Sequence, residues 1–245
     1  MSHFPLLLRA CAAGLLVLAA TPVAADSYAE RLRAFQAEQA ASPSKFTAED
    51  RATMARAGAD LARALPDPGI KVGEIAPDFA LPDAHGNTVR LADLLKNGPV
   101  VLVFYRGAWC PYCNLQLKAF RDALPQFKAA GAQLVAVTPQ KPDRSLEQFK
   151  TEPPGFPVLS DLTSDTMKAY KLYFEVDAEL AAVYRKNSLD LEAFNGEGRN
   201  VLPVAATFVI DQAGVVRAMQ ADTDYTKRME PAEALAQLGE LAPSR

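Results

Sequence analysis

Histidine and cysteine are scarce in this chain, with two of the first and three of the second among 245 residues. A tetrahedral zinc centre of thiolates and imidazoles needs about four ligands, and only His3 and His85 could join the cysteines. His85 lies in Asp83-Ala84-His85-Gly86-Asn87, a turn composition that predicts a solvated loop histidine. Neither a metal nor an organic cofactor is therefore expected. Clusters of positive charge are missing too. With 26 Lys and Arg against 29 Asp and Glu, the chain has no basic footprint for nucleic acid. It also lacks an uninterrupted apolar run of the roughly 20 residues that a membrane-spanning helix needs, and it shows neither an internal repeat nor a low-complexity linker.

The longest apolar run, Ala10 to Ala20, follows a short start bearing His3 and Arg9 and is broken by Pro22. Val23-Ala24-Ala25 then supplies the small-residue pattern of a signal-peptidase site. Residues 1–25 are expected to be a signal peptide and the mature protein to be exported to the periplasm. Arg9 sits just before Cys11 and the apolar stretch follows that cysteine, which argues for ordinary secretion over lipidation. What remains suits one elaborated domain with an appendage. Residues 26–70 read as a helical extension: an Ala-rich helix over 27–40 and a second over 47–65, with Thr47 as N-cap, Asp50 in the first turn, and Pro66, Pro68 and Gly69 ending it. Its expected role is a packing or dimer-contact arm, so a homodimer is considered.

From residue 71 to 245 strands alternate with helices. A small hairpin around Gly86 precedes a short helix at 91–95. The run 99–105 is almost wholly apolar and of strand length, as in a central strand buried on both faces. A helix is predicted over 111–130, with Leu115, Leu117, Phe120, Leu124 and Phe127 on its apolar side. A strand at 134–137, a helix at 145–150, a strand at 156–159 and helices at 164–170 and 178–186 follow. Strands at 206–210 and 215–218 form a hairpin, and Pro231 opens a last helix. The expected class is an α/β sandwich around a mixed sheet.

Loss of Cys11 with the leader would leave Cys110 and Cys113 alone, in Trp109-Cys110-Pro111-Tyr112-Cys113. A bridge across two residues closes too small a loop to be a useful staple, so the spacing points to switching. A thiol at the start of a helix meets unpaired amides and the positive end of the dipole, and its pKa can fall from about 8.5 to roughly 3.5–7.5. Cys110 is expected to be that thiolate, with Cys113 one turn on and able to attack a mixed disulfide. Pro111 suits the first turn. Trp109 is a candidate shield and Arg106 a candidate source of positive charge, against plain packing and a solvated surface charge. Tyr112 completes the motif.

Three stretches carry a resemblance: Gly73-Glu74-Ile75-Ala76-Pro77-Asp78-Phe79-Ala80-Leu81, the run Phe104-Tyr105-Arg106-Gly107-Ala108-Trp109-Cys110-Pro111-Tyr112-Cys113-Asn114, and Leu202 to Asp211. With Asp222 to Pro231, and with the helical preface included, they resemble the peroxiredoxin-like branch of the alkyl hydroperoxide reductase/thiol-specific antioxidant superfamily. The resemblance implies a thioredoxin-like fold, Cys110 as the attacking and Cys113 as the resolving cysteine, a peroxide substrate and a thioredoxin-type reductant. The family pattern PxxxTxxC is not kept, since Val103 and Gly107 occupy the Pro and Thr positions. Ala205 stands where thioredoxin-fold oxidoreductases carry a cis-proline, and its peptide bond is expected to be trans. Three functions stay open: a thiol-dependent peroxidase, an exported thiol:disulfide oxidoreductase, and a binding module with an inert bridge.

Overall fold

The computed structural model describes residues 27–241; the expected signal peptide, with His3 and Cys11, lies outside the described residues. Two N-terminal helices come first. In α1 (Tyr28–Ala40) and α2 (Ala48–Ala64), the caps Ser27 and Thr47 accept hydrogen bonds from the amides of Glu30 and Asp50, whose carboxylates reach back to the cap amides. These reciprocal bonds satisfy amides that have no partner within the helix. The hairpin of β1 (Ala80–Pro82) and β2 (Thr88–Arg90) turns at Gly86, whose φ of +86° suits a residue without Cβ.

The sheet domain continues with α3 (Leu91–Leu95), β3 (Val100–Phe104), α4 (Pro111–Asp122), α5 (Leu124–Ala129), β4 (Gln133–Thr138), α6 (Pro142–Gln148), β5 (Val158–Ser160) and α7 (Asp165–Ala169). Then come β6 (Tyr173–Glu175), α8 (Ala178–Lys186), α9 (Leu191–Asn195), β7 (Val201–Pro203), β8 (Ala206–Ile210), β9 (Val216–Ala221) and α10 (Pro231–Leu241). The main sheet runs β5-β4-β3-β8-β9: β3, β4 and β5 are parallel, whereas β8 pairs antiparallel with both β3 and β9. This is the mixed sheet that the alternating pattern predicted.

Every residue of β3 is buried, and the two-residue period of a strand explains how. Val100, Leu102 and Phe104 enter one core with Leu159, Tyr170 and Phe208. Val101, Val103 and Tyr105 enter the other, under α4, α5 and α10, with Leu117, Phe120 and Phe127. A strand between two cores can only end in a place both layers fix, and β3 ends six residues before Cys110.

Three local features differ from expectation. The helix predicted over 111–130 is broken at Ala123, because Pro125 has no N–H to continue the ladder and its ring clashes with the preceding turn. The helix predicted at 145–150 starts earlier, at Pro142 in its first turn. The two-stranded pair β6–β7 and helix α9 were not foreseen. Tyr173↔Pro203 and Glu175↔Val201 pair across the chain, and three-residue strands are too short to show a period.

The extension is tied to the sheet domain by named contacts. In α1, the Tyr28 hydroxyl donates to the Thr226 carbonyl at 2.6 Å, and the Tyr28 and Ala29 amides donate to the Glu230 carboxylate at 2.9 and 2.7 Å. Arg31 pairs with Asp122 at the end of α4 at 2.7 Å. In α2, Asp50 pairs with Lys186 of α8 at 2.8 Å. No helix among the described residues is long and apolar enough to cross a membrane.

Candidate active site

The loop leaving β3 is held before it reaches the cysteines. The Tyr105 amide extends the β3–β4 pairing by donating to the Val137 carbonyl. Gln140, fully buried, accepts from the Ala108 amide at 2.9 Å, and its Nε2 donates to the Tyr105 hydroxyl, Ser145 and Gln148. Gln148 in turn donates to Asn114 Oδ1, and Asn114 Nδ2 donates to the Ala108 carbonyl at 2.8 Å. The residues before and after Cys110 are thereby fixed by one polar network, which low-dielectric surroundings strengthen.

Gly107 is required within that loop. Its φ is +149°, and a Cβ there would lie 2.6 Å from the Trp109 Nε1. The position where the family pattern carries threonine thus has no space for one: the indole fills it.

Cys110 is the N-cap residue of α4 and Pro111 follows at the first helical position. Cys113 lies one turn on, and the two free sulfurs are 2.7 Å apart. Both are enclosed, Cys110 with 2 % of its surface exposed and Cys113 with none. Tyr112 sits over the entrance, edge-on to Phe35 of α1 at 5.5 Å and to Tyr225 at 5.2 Å between ring centroids.

The electrostatics correct one expectation. The Cys110 sulfur accepts no hydrogen bond from the first-turn amides of α4. Burial, the hydrogen bond with Cys113 and the charge on Cys113 push the Cys110 thiol well above its ordinary value. Burial would raise Cys113 as well, but the hydrogen bond from Cys110 and the Arg228 guanidinium outweigh it and bring Cys113 down to about 6. Arg228 Nη2 lies 3.6 Å from that sulfur, and its other nitrogens reach the Tyr225 carbonyl and Gln116. The pair therefore holds one proton and one negative charge near neutral pH, and the stabilisation comes from the Cys110 hydrogen bond and the Arg228 guanidinium on Cys113, not from helix amides on Cys110.

Arg228 was not singled out in the sequence. The only available signal was its place in the Asp222–Pro231 run, 115 residues from the sulfur it touches. Arg106 is close by, as expected of a positive residue, but it is no surface charge: 7 % of it is exposed. Its guanidinium lies over the rings of Tyr225, Trp109 and Phe174 at 4.9, 5.6 and 5.9 Å. Trp109 is partly buried and packs at 6.1 Å from Tyr184 of α8. Pro111 is exposed and Tyr112 half-buried. His85 is an exposed turn residue far from this chemistry. No cluster of three or more metal-binding side chains occurs among the described residues, and all described peptide bonds, Ala205 included, are trans.

The arrangement can form a thiolate, move a proton between neighbouring sulfurs, and join them. Comparison with known proteins agrees with this chemistry. The chain is 32% identical over 154 residues to the putative peroxiredoxin Rv2521 of Mycobacterium tuberculosis, covering 63% of this chain and 87% of that protein. It is 29% identical over 150 residues to the thiol-disulfide oxidoreductase ResA of Geobacillus kaustophilus, covering 60% and 68%. Among solved structures, peroxidoxin BcpB of Mycobacterium tuberculosis superposes with a TM-score of 0.56 at 25% identity, covering 71% of this chain and 99% of that one. The AhpC/TSA family profile matches residues 72–219. The helical preface and the Asp222–Pro231 run, to which the sequence resemblance was extended, stand outside that match. With β3, the cysteine pair and β8 all inside it, the chain belongs to the AhpC/TSA family.

Proposed function

We propose that this protein is a thiol-dependent peroxidase in which Cys110 attacks and Cys113 resolves. The observation that carries the reading is the 2.7 Å contact between two free sulfurs that share one charge beside Arg228. As a peroxide approaches, the proton crosses from Cys110 to Cys113. The Cys110 thiolate takes the terminal oxygen, the O–O bond breaks, and the leaving alkoxide or hydroxide collects a proton. Cys113 then displaces water from the Cys110 sulfenic acid, and a disulfide forms. A dithiol donor of the thioredoxin type returns both electrons by thiol–disulfide exchange.

Cys110 is assigned the attack because it alone of the two keeps a surface toward solvent, and because Cys113, wholly enclosed against Arg228, is placed to receive the proton. Stopped-flow mixing of the reduced protein with hydrogen peroxide tests this. The rate of Cys110 oxidation is expected to rise with pH through about 6, as the pair gains its charge, and then level off. A rate no faster than that of a free thiol of the same pKa would sink the reading.

A second reading, disulfide exchange with exported proteins, is favoured by the likeness to ResA. The Cys113→Ser variant separates the two. A peroxidase accumulates sulfenic acid on Cys110, whereas an exchange enzyme accumulates mixed disulfides with proteins. The proposal also places the enzyme outside the cytoplasm, supported by the Ala10–Ala20 run and Val23-Ala24-Ala25. N-terminal sequencing of protein recovered from a periplasmic fraction should begin at Asp26.

A further inference from the structure

A cleft of about 940 Å³ opens beside the redox site, between α2 and the β6–α8 segment. Its walls are apolar, with Met54 and Leu61 of α2 facing Phe174, Val176, Leu180 and Val204. At its floor lies Arg106. The Nε of Arg106 is buried with no hydrogen-bond partner, and one Nη reaches only the Tyr184 hydroxyl, at a long 3.5 Å. No carboxylate among the described residues pairs with this guanidinium; its near neighbours are the faces of three aromatic rings.

A buried charge without a partner is costly, and natural proteins pair it or give it a ligand. The negative charge on the cysteines does not settle the account, because Arg228 already donates to Cys113 directly. Two buried guanidinium groups face one thiolate, so one positive charge is in surplus, and it is the one that faces the cleft.

The mouth has the opposite character. Asp60, Glu175, Asp177, Glu179, Asp222 and Asp224 line it with Arg56. Asp60, Glu179 and Asp222 are engaged by Arg63, Arg56 and Lys227, whereas no ion pair among the described residues holds Glu175, Asp177 or Asp224. Such a mouth repels polyanions such as nucleotides and polyphosphates. A single negative charge carried in at the head of an apolar body meets no such penalty, since it is held at the floor and the body covers the mouth.

We propose that this cleft binds a monocarboxylate with an extended apolar body, its carboxylate paired with Arg106 and its chain lying between α2 and α8. A planar guanidinium matches a carboxylate with paired N–H donors, and burial of the chain against the apolar walls supplies most of the affinity. This site goes beyond the thiol chemistry and does not depend on it.

The test uses the full reduced chain and decanoate as probe. Trp109 is the only tryptophan and lies under Arg106, so its fluorescence reports occupancy, with calorimetry as a second readout. Decanoate is expected to give a saturable change. Decanol, of the same length without charge, and decanedioate, with a second charge at the mouth, are each expected to bind at least tenfold more weakly. Arg106→Gln should weaken decanoate at least tenfold and leave decanol unchanged. Leu61→Glu on the exposed helix α2, remote from the sulfurs, should block decanoate in a protein whose Arg106 is intact. Absence of saturable decanoate binding, equal binding of decanol or of decanedioate, or indifference to Arg106→Gln would each overturn the proposal.

Discussion

Replacing Arg228 by Met should move the ionisation of the cysteine pair by one to two pH units. Arg228 Nη2 is 3.6 Å from the Cys113 sulfur, and a hydrogen bond to a charged group contributes about 1.5–3 kcal/mol. At about 1.4 kcal/mol per pH unit, losing it raises the first ionisation from about 6 to roughly 7–8. The sign follows from the charged form. The guanidinium favours the thiolate, so its removal favours the thiol, and a higher pH is needed to ionise the pair. At pH 7 the charged fraction then falls from about nine-tenths to between about one-half and one-tenth. Ultraviolet thiolate absorbance, followed against pH, reads the shift directly, and the peroxide rate at pH 7 should fall about two- to tenfold and recover near pH 9. Arg228→Lys, which keeps the charge, should recover much of the loss and so separates charge from packing around Tyr225 and Gln116. An unchanged titration in Arg228→Met would refute the assignment of the stabilising charge to this residue.

Other outcomes follow from the same geometry. Cys110→Ser should abolish peroxide consumption, whereas Cys113→Ser should retain one turnover and stop with a sulfenic acid that dimedone traps; the reverse pattern would exchange the two roles. Gly107→Thr, which restores the family hydroxyl, should lower activity instead of raising it, because its Cβ displaces Trp109 and its φ of +149° strains any side chain; a loss of stability of about 1–3 kcal/mol in denaturant titration is expected. Glu230→Ala removes the carboxylate that holds the first two amides of α1. Alkylation of Cys110 by a bulky maleimide should then speed up about tenfold, from roughly 1.5 kcal/mol of lost tethering, while a small alkylating reagent gains less. Equal gains for both reagents would show that the Glu230 tether of α1 does not restrict access to Cys110.

Much of the fold was legible locally. The all-apolar run at 99–105 marked a central strand because no other setting buries both faces of so short a segment, and Thr47 with Asp50 marked a helix start because that pair satisfies amides nothing else can. The two cysteines were legible as chemistry from their spacing together with the buried strand before them and the helix they open. Pro125 carried the break in the long helix, yet the apolar stripe through Leu124 and Phe127 masked it, since both halves pack on the same core. The short strands at 173–175 and 201–203 pair across the chain, and no three-residue segment announces a partner.

The sequence by itself determined that two thiols would stand one helical turn apart at the end of a buried strand, because spacing and hydrophobic pattern are properties of neighbouring residues. Only the tertiary structure decided which sulfur carries the charge. That depends on burial and on Arg228, which a different part of the chain brings to 3.6 Å. The same is true of Arg106: its charge is written in the sequence, but whether water or an apolar cleft surrounds it is settled by how α2 and α8 close around it, and electrostatic energy varies steeply with that surrounding.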